Sequence, residues 1–178
     1  MALTKLLTQI KVTADCEVYP VRGLPIIKEE HIIPDDMKEF YELCGGVSLF
    51  RHQSKRFCIV PPENVALANP ILEPEVSKDQ RDRVAGDISW SWYIIAHDWG
   101  GNYLTIDLSQ QRLGWCYNSF LGYHAMPGYC PIIAHSFTEL VKRLYESGDD
   151  AFYWDEPNFT SLGDAYDGID YQRDESNE

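Results

Sequence analysis

Positive charge is scarce in this chain. Fifteen Lys and Arg stand against 28 Asp and Glu, a formal net charge of −13 over 178 residues. Nonspecific binding to nucleic acid or to an anionic membrane needs clustered cations, so the composition argues against both and favours a basic partner. No apolar run approaches the roughly 18–20 residues that a membrane helix requires. The opening residues, Met1 to Ile10, lack a basic flank followed by an unbroken apolar stretch, so no secretory signal is read and a cytoplasmic location is expected. The cysteines (Cys16, Cys44, Cys58, Cys116 and Cys130) are odd in number and never form a Cys-x-x-Cys pair. That count fits reduced, buried thiols better than a disulfide scaffold. Also missing are a phosphate-binding glycine loop, a metal-ligand cluster and a nucleophile triad, so no cofactor or metal is expected.

What is present is a globular composition, 44% hydrophobic and 24% charged, at a length that suits one domain with a sizeable core. The acidity is polarised. Residues 149–178 hold ten acids against one base, while the other 148 residues carry 18 acids and 14 bases. Residues 1–148 therefore read as a domain and 149–178 as an acidic, aromatic extension. Phe152, Tyr153, Trp154, Phe159, Leu162 and Tyr166 are too apolar for a solvated tail. The extension should pack back as far as about Ile169, with disorder expected beyond.

Periodicity supplies the elements. Leu3, Leu6, Leu7 and Ile10 predict an opening amphipathic helix, and Met37, Phe40, Tyr41 and Cys44 a second. Pro34, Asp35 and Asp36 suit the start of that second helix, and Gly45-Gly46 reads as its left-handed stop. Between these helices, residues 14–32 read as irregular with one short strand. Val47–Phe50 and Arg56–Val60 are strand candidates, followed by a helical turn through Asn64–Asn69. Residues 70–88 read as a long loop or a weak helix around Lys78–Val84. Ser136 as N-cap, with Glu139 three residues on, opens a final helix whose buried face is Phe137, Leu140, Val141 and Leu144; Gly148 ends it.

The most structured stretch is Trp92 to Leu108. Two β-branched and aromatic runs flank Asp98-Trp-Gly-Gly-Asn102, a hairpin signature. Leu104, Ile106 and Leu108 alternate with Tyr103, Thr105 and Asp107, placing an apolar row on one sheet face. Arg112–Phe120 would extend the sheet as a meander. Strands in the middle and helices at the ends predict an α+β domain with a central, mainly antiparallel sheet and flanking helices.

Several side-chain constellations have plainer structural roles open to them. His97, Asp98 and Asp107 lack a third close ligand, and Asp98 with Asn102 suits the turn. Cys116 with His124, or Cys130 with His135, suggests a thiol dyad, but Cys116 lies inside an apolar strand where an inert core thiol is expected. Asp164, Asp167 and Asp170 have the wrong spacing for a calcium loop.

Four blocks in order complete the reading: Ile33 to Gly46, Ile59 to Asn69, the hairpin, and Ile133 to Leu144. Together they resemble the SUKH superfamily, which groups fungal Smi/Knr-type cell-wall regulators with many bacterial immunity proteins. The resemblance spans roughly Ile26 to Ser147. It implies an α+β domain that binds other proteins, with no catalytic set to carry over; combined with the missing glycine loop, metal cluster and triad, this implies a binding protein rather than an enzyme. It implies an intracellular immunity protein that neutralises a cognate toxin, often a nuclease, by direct binding; the alternative is a regulatory scaffold of the cell-wall-regulator type. Carboxylates can steer a basic toxin and Trp or Tyr can anchor it. The candidate partner-binding residues are therefore Asp149, Asp150, Tyr153, Trp154, Asp155, Glu156, Asp164, Tyr166 and Asp167; the alternative is a strap that buries these aromatics and leaves the acids in water.

Overall fold

The structure, a computed structural model, describes residues 3–73, 86–148 and 152–169. Helix α1 (Leu3–Val12) is followed by β1 (Glu17–Val18), α2 (Asp35–Leu43), β2 (Val47–Leu49) and β3 (Phe57–Ile59). Then come β4 (Ala66–Leu67), α3 (Asn69–Leu72), β5 (Trp92–His97), β6 (Tyr103–Asp107), β7 (Cys116–Asn118), β8 (Ile132–Ala134) and α4 (Phe137–Glu146). All strand pairings are antiparallel, and the sheet runs β1-β2-β3-β5-β6-β7-β8. The α+β expectation holds.

The hairpin forms as expected. Trp92 faces Asp107 at one end and His97 faces Tyr103 at the other. A bulge falls between Ile94 and Ala96, and it places Ile95 and Ala96 together in the helix-side core. Strands β3 and β4 lie end to end along β5, Ile59 opposite Ala96 and Ala66 opposite Ile94. The expected helical turn through Asn64–Asn69 is therefore corrected. Only Pro62–Asn64 is 3-10 helix, because Ala66 and Leu67 resume the ladder that the Pro61-Pro62 excursion interrupts. Strand β8, to which periodicity assigned no strand, pairs with β7. The expected helix at Lys78–Val84 lies outside the described residues.

Helices α1, α2 and α4 cover one face. Leu6, Ile10, Met37, Phe40, Phe137, Leu140 and Val141 pack there against Ile59, Ile95, Leu104 and Ile106. Burying a side chain of this size stabilises the fold by about 1.5–3 kcal/mol. Ser136 accepts the backbone N–H of Glu139, and the Glu139 carboxylate accepts that of His135, which fixes the start of α4. The stop of α2 differs from expectation. Cys44 ends the helix in an extended conformation, and only Gly46 has positive φ, +117°. The glycine pair serves close approach instead. A Cβ on Gly45 would collide with the Pro20 carbonyl oxygen, and one on Gly46 would lie 2.6 Å from the Ile59 oxygen.

The opposite face is buried as well. Trp92, Ile94, Tyr117, Cys130 and Ile132 form a second core with Ala68, Leu72, Ala165 and Tyr166. Hence the polar row of β6 is also withdrawn from water. Asp107 lies there as a fully engaged carboxylate, accepting from Ser91 Oγ (2.7 Å), Ser109 N (2.8 Å), Trp92 Nε1 (3.2 Å) and the Tyr117 hydroxyl (3.2 Å).

Candidate functional site

After α4, residues 152–169 form a strap around the β8 edge of the sheet. It starts on the helix side, where Tyr153 and Trp154 join the first core, and finishes on the far side, where Ala165 and Tyr166 join the second. The Tyr153 hydroxyl donates to the Ile133 carbonyl at 2.6 Å, and burial pushes that phenol well above its usual range. Ile132 N–H donates to Gly163, and Ala165 N–H to Cys130. A free strand edge is a template for unwanted pairing, and the strap closes this one.

Asp164 fastens the far end. Its oxygens accept the backbone N–H groups of Gly128 (3.1 Å), Cys130 (2.8 Å) and Tyr166 (3.0 Å). Asp167 accepts from Asp164 N at 2.8 Å while remaining exposed. The Tyr166 hydroxyl, with one proton to donate, lies 3.1 Å from both an Asp87 carboxylate oxygen and the Ala125 carbonyl. Arg112 donates to the Ala165 carbonyl at 2.8 Å.

These positions divide the sequence-derived candidate set by solvent access. Tyr153, Trp154 and Tyr166 are buried, so their rings hold the strap and present no anchor to a partner. Asp155, Glu156 and Asp167 point to solvent, and Asp164 is half-buried. Asp149 and Asp150 lie outside the described residues, as does the stretch beyond Ile169 for which disorder was expected. Of the candidate side chains, those that the described strap leaves in solvent are therefore carboxylates.

Exposed aromatics sit elsewhere, at the end of the sheet carrying the 98–102 turn and the 119–131 connection. Trp99, Leu121, Tyr123, Met126 and Tyr129 are solvent-accessible there. Sequence periodicity missed them because turn residues carry no repeat. A usable signal was charge: Leu113 to Thr138 holds no Asp, Glu, Lys or Arg.

The thiol and carboxylate constellations have structural work. Asp98 accepts from Gly100 N (2.7 Å) and Asn102 N (3.0 Å), fixing the hairpin turn, whereas Asp107 is at the other end of the hairpin. Cys116 is fully buried and its thiol is held well above the ordinary cysteine range by desolvation; Cys130 is pushed up to about 12 by the same cause. His124 pairs Nε2 with Asn69 Oδ1 at 2.7 Å, and His135 packs on Trp115. A cleft of about 670 Å³ passes Lys28, His31, Trp90, Asp107 and Arg112, but His31 Nδ1 is engaged by the Tyr93 hydroxyl and Asp107 by its four donors. Among the described residues, no three His, Cys, Asp or Glu converge on a metal position, and no helix is long and apolar enough to cross a membrane.

Comparison with known proteins places the chain. The model of the SMI1 / KNR4 family (SUKH-1) matches residues 28–143. "Immunity protein YokJ" of Bacillus subtilis (strain 168) is 43% identical over 172 residues, covering 97% of this chain and all of the relative. No solved structure matches. This chain belongs to the SMI1 / KNR4 family (SUKH-1).

Proposed function

We propose that this chain is a non-catalytic immunity protein that neutralises a cognate toxin by binding it directly in the cytoplasm. The observation that carries the reading is the 43% identity to a Bacillus subtilis immunity protein along the full length of that relative. Identity at that level over 172 residues supports a shared role rather than a shared fold alone. The side-chain chemistry supports binding over catalysis. The buried thiols are held protonated, and Asp107 and Asp164 are occupied by fold-internal donors.

The partner is a basic domain, such as a nuclease whose phosphate-binding cleft must carry cations. A net charge of −13, with Asp155, Glu156 and Asp167 exposed on the strap and Asp149 and Asp150 next to it in sequence, would accelerate encounter by long-range attraction. Residues 152–169 fasten the binding domain, and their exposed acids form its flank.

The test is a growth assay. Each product of the two open reading frames flanking this chain's gene is induced in a bacterial host, with and without the chain. Growth arrest by one product, relieved by the chain, is the expected result. Arrest that the chain leaves untouched, or no arrest by either product, refutes the immunity reading.

A further inference from the structure

The 26 residues from Leu113 to Thr138 contain no Asp, Glu, Lys or Arg, in a chain of which 24% is charged. Core strands β7 and β8 account for the ends of this stretch. The middle is surface: Leu121 is 61% exposed, Tyr129 55%, Tyr123 51% and Met126 43%. Trp99, 50% exposed, stands at the neighbouring hairpin tip. The two loops touch. Leu121 N–H donates to the Gly101 carbonyl at 3.3 Å, and the Leu121 side chain lies 3.7 Å from where a Gly101 Cβ would be.

This surface is braced rather than loose. Tyr123 and Tyr129 stack at 5.4 Å between centroids and 13° between planes. Successive backbone bonds (Tyr123 to Phe120, Met126 to Tyr123, Tyr129 to Met126) fold the loop on itself. Asp164 holds it from below through Gly128 and Cys130, and Tyr166 through Ala125. The strap therefore sets the conformation of the exposed aromatic loop.

We propose that this loop end, with Trp99, Leu121, Tyr123 and Tyr129 at its centre, is the surface that contacts the partner, and that the partner face it meets is basic. The proposal rests on the immunity reading and deepens it. Charge-depleted patches rich in Trp, Tyr and Met are the composition of interface centres, because they desolvate cheaply and are already ordered. The rim decides the sign of the partner. The strap brings Asp164 and Asp167 beside the Tyr129 loop, and Asp155 and Glu156 follow Trp154, whose ring packs against Phe120. Lys55 and Arg56 reach the same end, over Phe152 at 4.2 Å and Trp99 at 5.5 Å, and their two charges offset part of the four carboxylates'. A second copy of this chain is disfavoured as the occupant, since each copy would bring a charge of −13. An anionic membrane is disfavoured on the same ground.

The test uses full-length chain and, as probes, the purified products of the two flanking open reading frames, with affinities read by surface plasmon resonance. Trp99→Ala and Tyr129→Ala should each raise Kd about thirtyfold or more, the size of a true hot spot. Leu121 is the most exposed of the set, so its variants keep the fold and carry the charge test. Leu121→Arg should weaken binding about tenfold more than Leu121→Glu, because only the cation repels a basic face. Thermal melting of every variant checks that folding is intact. If a flanking product binds the wild type and all four variants within about twofold, the immunity reading stands and this surface is wrong. Equal loss for Leu121→Arg and Leu121→Glu overturns the basic partner face. Binding by neither product refutes the immunity reading and this surface with it.

Discussion

Trp154→Ala tests whether the strap is part of the fold. Trp154 is nine-tenths buried and packs on Phe152 (5.1 Å, stacked), Tyr153 (5.0 Å), Phe57 (6.1 Å) and Phe120 (6.2 Å). Replacing a core Trp with Ala costs about 3–5 kcal/mol through lost transfer free energy and the cavity left behind. Two features place this site at the lower end. The indole Nε1 is buried without a protein partner among the described residues, so its removal relieves a desolvation cost of about 1–3 kcal/mol. The strap is also short and largely irregular, able to relax into part of the cavity. The expected loss is about 2–3 kcal/mol. For a chain of this length that is roughly 4–12 °C in Tm, since each kcal/mol shifts Tm by about 2–4 °C. Urea unfolding followed by fluorescence and by circular dichroism measures it, with coincident transitions required before a single free energy is quoted. A change below about half a kcal/mol would mean that the strap is not seated against Phe57 and Phe120, and the division into buried rings and exposed acids would fail.

Leu140→Ala removes a fully buried side chain from α4 and should cost about 2–5 kcal/mol in the same unfolding assay; under half a kcal/mol would show the helix face to be misassigned. Gly46→Ala should destabilise the fold even though it adds only one methyl group, because φ is +117° and the Ile59 oxygen is 2.6 Å from the new Cβ; a neutral result in thermal melting contradicts the close approach. Burial lowers the His124 pKa to about 4, below the ordinary value of 6.5, so the unfolded chain takes up the proton first. Stability is then fully present above about pH 6.5 and declines as pH falls toward 4, by about 3 kcal/mol for that depression. His124→Gln should flatten the profile between pH 6.5 and 5, and an unchanged slope there removes His124 as the cause. Neutralising Asp155 and Glu156 together should slow association with a basic partner more than it speeds dissociation, and raising salt should mimic it; stopped-flow mixing at two ionic strengths separates the two rates.

The elements legible in the sequence were those whose periodicity and caps agreed. Leu3, Leu6, Leu7 and Ile10 repeat at helical spacing and all four are buried in α1. Ser136 with Glu139 marks α4 because the side-chain bond that starts the helix is local. The hairpin was legible because Asp98 and Asn102 close the turn between themselves. Strands β4 and β8 were not. Each has two or three residues and borrows its pairing from a strand distant in sequence, Leu67 from Tyr93 and Ala134 from Cys116. Gly45 and Gly46 were legible as special positions but not for the right reason. Local rules tie a glycine pair after a helix to a left-handed stop, whereas here the demand comes from Pro20 and Ile59 across the fold. The same limit governed the candidate site. An aromatic residue in an acidic segment reads alike whether its ring faces a partner or its own core, and only the positions of Phe57, Phe120 and Ile133 decide that Tyr153 and Trp154 face inward.

Strap and loop end then make one device with two jobs for each residue class. Aromatic rings of the strap are spent inside, closing the β8 edge that would otherwise pair with other chains. Its carboxylates split further: Asp164 turns inward to hold the backbone of the 126–131 connection, and Asp167, Asp155 and Glu156 stay in water. Two of the exposed rings, Tyr123 and Tyr129, lie where this fastening leads. Losing the strap should therefore disorder the exposed aromatic loop as well as open an edge. This links the acidic flank to the apolar patch through the two backbone hydrogen bonds that Asp164 accepts from Gly128 and Cys130, and it makes Asp164 the residue whose loss should reach both stability and partner contact.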